Sequence, residues 1–183
     1  MTVTTPLPGR WTIEDVLALP DDGNRHELAD GNLIVSPPPA YAHTTTRARL
    51  TRLLMAAAPL DLFVNGAGPG VRIGDSFFVP DLVVVRADAE QRTDILLDPA
   101  DVRLVVEVLS PGTRGRDLVL KRSRYAASGI PHYWILDREV RRLTVLGFKP
   151  GQTGYTLVAE VAAGTPYRTN EPFEVEIDPD TVC

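Results

Sequence analysis

Residues 102–125 read VRLVVEVLSPGTRGRDLVLKRSRY. The first eight are a largely β-branched apolar strand with one carboxylate, Glu107, set inside it. A buried carboxylate is costly unless it is paired or binds a metal. The next segment is basic: Arg114, Arg116, Lys121, Arg122 and Arg124 stand against a single acid, Asp117. From about Arg116 to Ser128 it reads as a helix, with Gly129 as C′ residue and Pro131 forbidding continuation. A strand followed by a helix that folds back over it brings Lys121 beside Glu107. Lys121, Arg124, Tyr125 and Ser128 lie near one helix face. Asp117 and Lys121, spaced i,i+4, read as a surface ion pair.

A second carboxylate, Asp81, interrupts another apolar run, FFVPDLVVV (77–85). Two carboxylates converging in a dry site repel, and one takes up a proton unless a cation lies between them. A hard divalent cation resolves this, held by one or two carboxylates with water and phosphate completing the shell. Carboxylates and a lysine gathered about such an ion suit phosphodiester hydrolysis, in which the metal acidifies water and the ammonium offsets developing charge.

The rest of the chain supplies the frame. A short helix is expected at Ile13–Leu19, capped by Thr12 with Asp15 three residues on. Asp30-Gly31 reads as the turn of a hairpin joining His26–Ala29 to Asn32–Val35, stopped by Pro37, Pro38 and Pro39. A longer helix is expected at His43–Ala58, from the stripe Leu50, Leu53, Leu54 and Ala57. Strands are expected at Leu62–Asn65, Val71–Ile73 and Phe77–Val85, broken by Gly66, Gly68, Gly70 and Gly74. HYWILD (132–137) and RRLTVLGF (141–148) read as a second hairpin, YTLVAEV (155–161) as one more strand, and the end from Gly164 as turns. Interleaved strands and helices imply an α/β fold: a central mixed β-sheet flanked by helices, with an N-terminal helix and β-hairpin.

Composition narrows the classes. At 183 residues one domain spanning 1–183 is expected. No apolar run approaches the roughly 20 residues of a membrane span, and MTVTTPLPGRW lacks a signal-peptide pattern, so a cytoplasmic protein is the expectation. The one cysteine, Cys183, excludes an internal disulfide and a thiolate zinc site. A net charge of −5 argues against nonspecific coating of nucleic acid but not against an enzyme with basic groups concentrated at one site. GAGPG (66–70) has the wrong spacing for a dinucleotide loop, and Ser110 lacks the GxSxG context. His26, His43 and His132 are too scattered in sequence to suggest a metal cluster, and His43 reads as a cap-region residue. The apolar YWILD run could serve a homodimer interface, although core packing is the simpler reading.

Pro80-Asp81, then VEVLSP (106–111), then RDLVLKRSRYAASGIPHYWILD (116–137) resemble the Uma-type restriction endonuclease family of the PD-(D/E)xK nuclease superfamily. RHELADGNLIVSPPPAYAH (25–43) is similar to the family's opening pattern, and the resemblance covers about residues 11–175. It implies a restriction-endonuclease-like core and a Mg²⁺ site at which Mn²⁺ can substitute, acting on DNA. Carried across, Asp81 is the metal aspartate, Glu107 the acid of the ExK element, and the Val108 carbonyl a further ligand. The ExK lysine would fall at Leu109; Lys121 looks like its displaced replacement. Glu27 matches the N-terminal glutamate, a metal ligand or water-orienting group. His132 stands where the family commonly has Glu. The leading expectation is a metal-dependent DNA endonuclease. The alternatives are a nuclease-fold module that binds DNA or regulates without catalysis, and a purely structural dimeric α/β protein.

Overall fold

The computed structural model describes residues 10–66, 69–92, 95–149 and 151–183. Helix α1 (Ile13–Leu17) carries the expected capping box, with the Thr12 side chain accepting from the Asp15 N–H and the Asp15 carboxylate accepting from the Thr12 N–H. Strands β1 (Arg25–Ala29) and β2 (Asn32–Ser36) form the expected hairpin. Asp30 and Gly31 both adopt positive φ (52° and 80°), the backbone that a two-residue turn of this hand requires. Helix α2 runs Tyr41–Ala57, then β3 (Leu62–Asn65), β4 (Gly70–Ile73), β5 (Ser76–Phe78) and β6 (Leu82–Arg86). Of the glycine breaks expected here, Gly68 lies outside the described residues.

The run Phe77–Val85 is not one strand. It divides at Val79-Pro80-Asp81, because proline has no N–H to give a central ladder. The two halves belong to different sheets, so this corner is where the chain crosses between them. One sheet has the order β2-β1-β5-β4-β7, with β7 at Leu96–Leu97. The other is six-stranded, β11-β10-β9-β8-β6-β3, with β8 at Val102–Val108, β9 at His132–Asp137, β10 at Arg142–Gly147 and β11 at Thr156–Ala162. Its β8/β9 pair is parallel and its other pairs antiparallel. The architecture is the expected mixed α/β one, with two sheets where a single central sheet was read. The turn-rich end also contains a small hairpin, β12 (Tyr167–Thr169) with β13 (Val175–Ile177), and α4 (Pro179–Val182).

Strand alternation sorts the six-stranded sheet's side chains into two cores. Val83, Val85 and Val105 pack with Ala29, Val71 and Phe78 of the five-stranded sheet. Leu82, Val84, Leu104, Val106 and Val108 pack on the opposite face with Leu50 and Leu54 of α2. With both faces covered, β6 and β8 are apolar at consecutive positions, which explains their valine runs and makes the buried Glu107 an exception. Tyr133, Trp134 and Leu136 of the YWILD run are fully buried, so that run is core and not an interface.

The segment after β8 is a helix of two kinds. Arg116–Lys121 is a π-helical turn, and α3 (Arg122–Ala127) continues it. Gly129, at φ 76°, follows as the expected C′ residue. The Tyr133 hydroxyl donates to the Asp117 carbonyl at 2.7 Å, fixing the wide turn from beneath. Phe78, Tyr125, Tyr133 and Tyr155 form a chain of ring contacts with centroids 5.5–6.0 Å apart, seating α3 on the sheet. No described helix is long and apolar enough to cross a membrane.

Candidate active site

The same alternation points Glu107 toward the five-stranded sheet and α3, on the side of Val105. On β1, Arg25 and Glu27 share a face with Ala29, which packs into that inter-sheet core. The π-helical turn closes the space with Asp117 and Lys121. The result is a set of charges sealed between two sheets, with Glu27, Glu107, Asp117 and Lys121 each at most 1% exposed and Asp81 2%.

Lys121 is the hub of one half. Its Nζ lies 2.8 Å from Glu27 Oε1, 2.9 Å from Glu107 Oε1 and 3.7 Å from Asp117 Oδ1. It also lies 3.5 Å from the Val79 carbonyl at the sheet-to-sheet corner. Glu27 Oε1 accepts the Val79 N–H at 2.8 Å, and the Tyr125 hydroxyl donates to Glu107 Oε1 at 3.4 Å. The second oxygens of both glutamates, Glu27 Oε2 and Glu107 Oε2, are buried with no hydrogen-bond partner.

Asp81 organises the other half at the end of β8. Its Oδ2 accepts the Val108 N–H at 2.8 Å, and its Oδ1 accepts from Arg25 Nη1 at 3.2 Å. His43, on the first turn of α2, reaches the same point from the opposite face. Its Nε2 lies 3.2 Å from Asp81 Oδ2 and 3.0 Å from the Val108 carbonyl oxygen.

Burial alone would raise the Asp81 carboxyl. The hydrogen bond and charge of His43, then Arg25 and the Val108 N–H, reverse this and hold it at about 2. Glu107 is pushed well above the ordinary carboxylate range by burial, against the pull of Lys121 and with help from Asp117, Asp81 and Glu27. Asp117 is raised too, again chiefly by burial. Burial would lower Lys121, but Glu107, Glu27 and Asp117 outweigh it and keep the ammonium charged. Four buried carboxyl groups thus face two permanent cations, Lys121 and Arg25, with burial favouring the protonated forms of Glu107 and Asp117.

All the residues expected at the site from the sequence, Glu27, Asp81, Glu107, Val108 and Lys121, lie in this cluster. Three further groups were not placed there. Asp117 is buried within it and is not half of a surface pair. His43 is buried on Asp81 rather than idle at a helix cap. Arg25 joins the cluster from two residues before Glu27 on the same strand face, and that i,i+2 spacing is its signal in the sequence. His132 lies apart, at the start of β9 in register with Leu104 and nearest to Glu171 at 3.9 Å.

Asp81 just ahead of β6 and Glu107 on β8 thus meet at the adjoining ends of two neighbouring strands of a mixed sheet, faced by a lysine from the following helix. The fold matches a crystal structure described as a putative nuclease belonging to DUF820 from Anabaena variabilis. The TM-score is 0.71 at 18% identity, covering 93% of this chain and 96% of that one. Residues 13–178 match the model of the Uma2 family, whose description is "Putative restriction endonuclease", and the chain belongs to that family. No curated protein matches the sequence.

Proposed function

We propose that this chain is a Mg²⁺-dependent nuclease that hydrolyses phosphodiester bonds in DNA, with Mn²⁺ able to substitute. The observation that carries the reading is the buried cluster itself: four carboxyl groups face two permanent cations, and burial pushes Glu107 and Asp117 toward their protonated forms, a balance that a bound divalent ion would reverse. The donor set fits a hard ion, since Asp81, Glu107 and the Val108 carbonyl offer only oxygen, and Glu107 Oε2 is a buried acceptor without a partner. No three His, Cys, Asp or Glu side chains among the described residues form a ready-made metal cage. Mg²⁺ keeps several waters and takes one or two carboxylates, a demand that Asp81 and Glu107 would meet.

A divalent ion held there acidifies a bound water and neutralises charge developing on the phosphate. The chain's own groups do the rest. Asp81 and Glu107 would hold the ion at the adjoining ends of β6 and β8. Lys121, kept charged by its neighbours, offers its ammonium to the attacking water or a phosphate oxygen. Glu27 and Asp117 hold that ammonium in place. A cavity of about 240 Å³ lined by Arg25, Arg47, Pro38, Pro39 and Pro80 opens beside the cluster and has no acidic residue in its wall, which suits an approaching phosphodiester.

The test is cleavage of plasmid and linear DNA with Mg²⁺ or Mn²⁺. Wild type should cut, and Asp81→Asn and Glu107→Gln should each lose on the order of 10²–10³-fold in rate; wild-type-like cutting by either variant would overturn the reading. One observation favours the second reading, a nuclease-fold module that binds DNA without cutting it: Lys121 Nζ already lies within 3.5 Å of three protein oxygens. DNA binding with no cleavage under either metal would establish that alternative.

A further inference from the structure

We propose that the groove between α2 and the edge strand β3 is a track for a single strand of DNA, with Arg47 and Arg52 on its phosphates and Phe63 stacked on a base. The inference rests on the nuclease reading above and deepens it: the substrate is DNA that presents an unpaired strand beside the site, rather than a closed duplex.

Three observations carry it. First, the groove adjoins the candidate site. Arg47 lines both the cavity beside the buried cluster and a second, larger one of about 650 Å³ that follows α2. The helix gives that second cavity a single stripe, Thr44, Arg47, Ala48, Thr51, Arg52 and Met55, in the i, i+3, i+4 recurrence of one face. From Thr44 to Met55 the stripe rises about 16 Å, the length of about five stacked nucleotide steps at about 3.4 Å each.

Second, the groove is positively charged in a chain whose net charge is −5. Neither cavity has an acidic residue in its wall. Surface arginines elsewhere, Arg86, Arg92, Arg114 and Arg141 among them, are paired with carboxylates. The Arg47 and Arg52 side chains form no ion pair or hydrogen bond among the described residues. Two uncommitted guanidinium groups on one groove attract an anionic backbone.

Third, the groove is narrow and offers base faces a platform. Phe63 on β3 and Met55 on α2 are each more than half exposed, although apolar. Strand β3 is the outer strand of its sheet and pairs with β6, so the Phe63 ring stands at a rim beside the arginines. A Cβ at Gly66 would collide with the Thr51 hydroxyl, which places the end of β3 directly against α2. Between elements packed that closely one strand fits and a duplex does not. A cationic groove with an aromatic platform holds unpaired nucleic acid whatever its sequence, whereas a closed duplex keeps its base faces inside the stack.

The experiment is fluorescence anisotropy of the full chain in Mg²⁺, with a short single strand and with the same sequence as a blunt duplex, both phosphorothioate-linked to resist cleavage. Wild type should bind the single strand at least about fivefold more tightly, the least that one stacked base supplies. Phe63→Ala should weaken single-strand binding about 5- to 150-fold, the range of one base–aromatic stack, and Phe63→Trp should restore it. Arg47→Gln combined with Arg52→Gln should make the dependence of log affinity on log salt shallower by about 1.4, at about 0.7 per phosphate contact. Arg47→Lys combined with Arg52→Lys should keep the native slope. Arg52 and Phe63 are exposed, so their substitutions leave the core in place. Equal affinity for the two probes, wild-type affinity in Phe63→Ala, or a native slope in the double glutamine variant would each overturn the track and leave the nuclease reading to the cleavage assay. A dimer in sedimentation that Phe63→Ala abolishes would overturn it in favour of an interface between copies.

Discussion

Replacing Lys121 with methionine keeps the length and apolar stem of the side chain and removes only the charge. In the native cluster Lys121 Nζ lies 2.8 and 2.9 Å from the carboxylates of Glu27 and Glu107, all sealed from water. Without it, at least one more carboxylate than in wild type must fold in its protonated form. Holding a glutamate neutral at pH 7.5 against an ordinary value near 4.3 costs about 4 kcal/mol, at about 1.4 kcal/mol per pH unit. That agrees with the ~3–5 kcal/mol typical of stranding one partner of a buried pair. The sign follows from proton uptake. The variant's folded-state carboxyl is raised above its unfolded value, so the native state binds the extra proton. Stability is then fully present below about pH 4.3 and lost as pH rises. The penalty relative to wild type should shrink to about 1 kcal/mol at pH 5. Urea unfolding of both proteins at pH 5 and 7.5, in chelator, measures this directly. At pH 7.5 the melting temperature should fall by about 8–16 °C for a chain of this length. A penalty below about 1 kcal/mol at pH 7.5, or one equal at both pH values, would refute the idea that Lys121 neutralises the cluster.

Asp81, held at about 2, should contribute about 2 kcal/mol that is present above pH 4 and lost as pH falls toward 2; Asp81→Asn should remove that acid-sensitive portion, seen as equal stability of the two proteins near pH 2. Glu107→Gln should cost under about 2 kcal/mol in the metal-free protein, because burial already favours the neutral carboxyl there; a loss as large as that of Lys121→Met would contradict it. Tyr133→Phe should cost about 1–2 kcal/mol by stranding the Asp117 carbonyl in the π-helical turn, and an unchanged melting temperature would show that the turn holds itself.

Much of this arrangement could be read from residue order. Glu107 stood out as a carboxylate in an apolar strand, and Lys121 followed from a basic helix folding back over that strand. Asp81 stood out in the same way in FFVPDLVVV, and Glu27 came from the motif that carries the family resemblance. Other parts were hidden for identifiable reasons. An i,i+4 Asp–Lys pair looks the same on a solvated helix face as on a buried one, so Asp117 passed as surface. Phe77–Val85 has the composition of one strand, and only Pro80 betrayed the crossing between sheets. Arg25 and His43 depend on which strand face and which helix turn are buried, a property set by the second sheet. That sheet was not separable from the first, because its strands β4, β5 and β7 span only two to four residues and carry little periodic signal.

The central claim is that the buried cluster, whose Glu107 and Asp117 carboxyls burial pushes toward their protonated forms, gives up that proton charge for one divalent ion. Isothermal calorimetry of the metal-free chain with Mn²⁺ tests it most directly, with Asp81→Asn and Glu107→Gln titrated alongside. One ion bound per chain in wild type, with binding lost in both folded variants, is the expected result. No binding in wild type, or binding left intact in both variants, would contradict the claim.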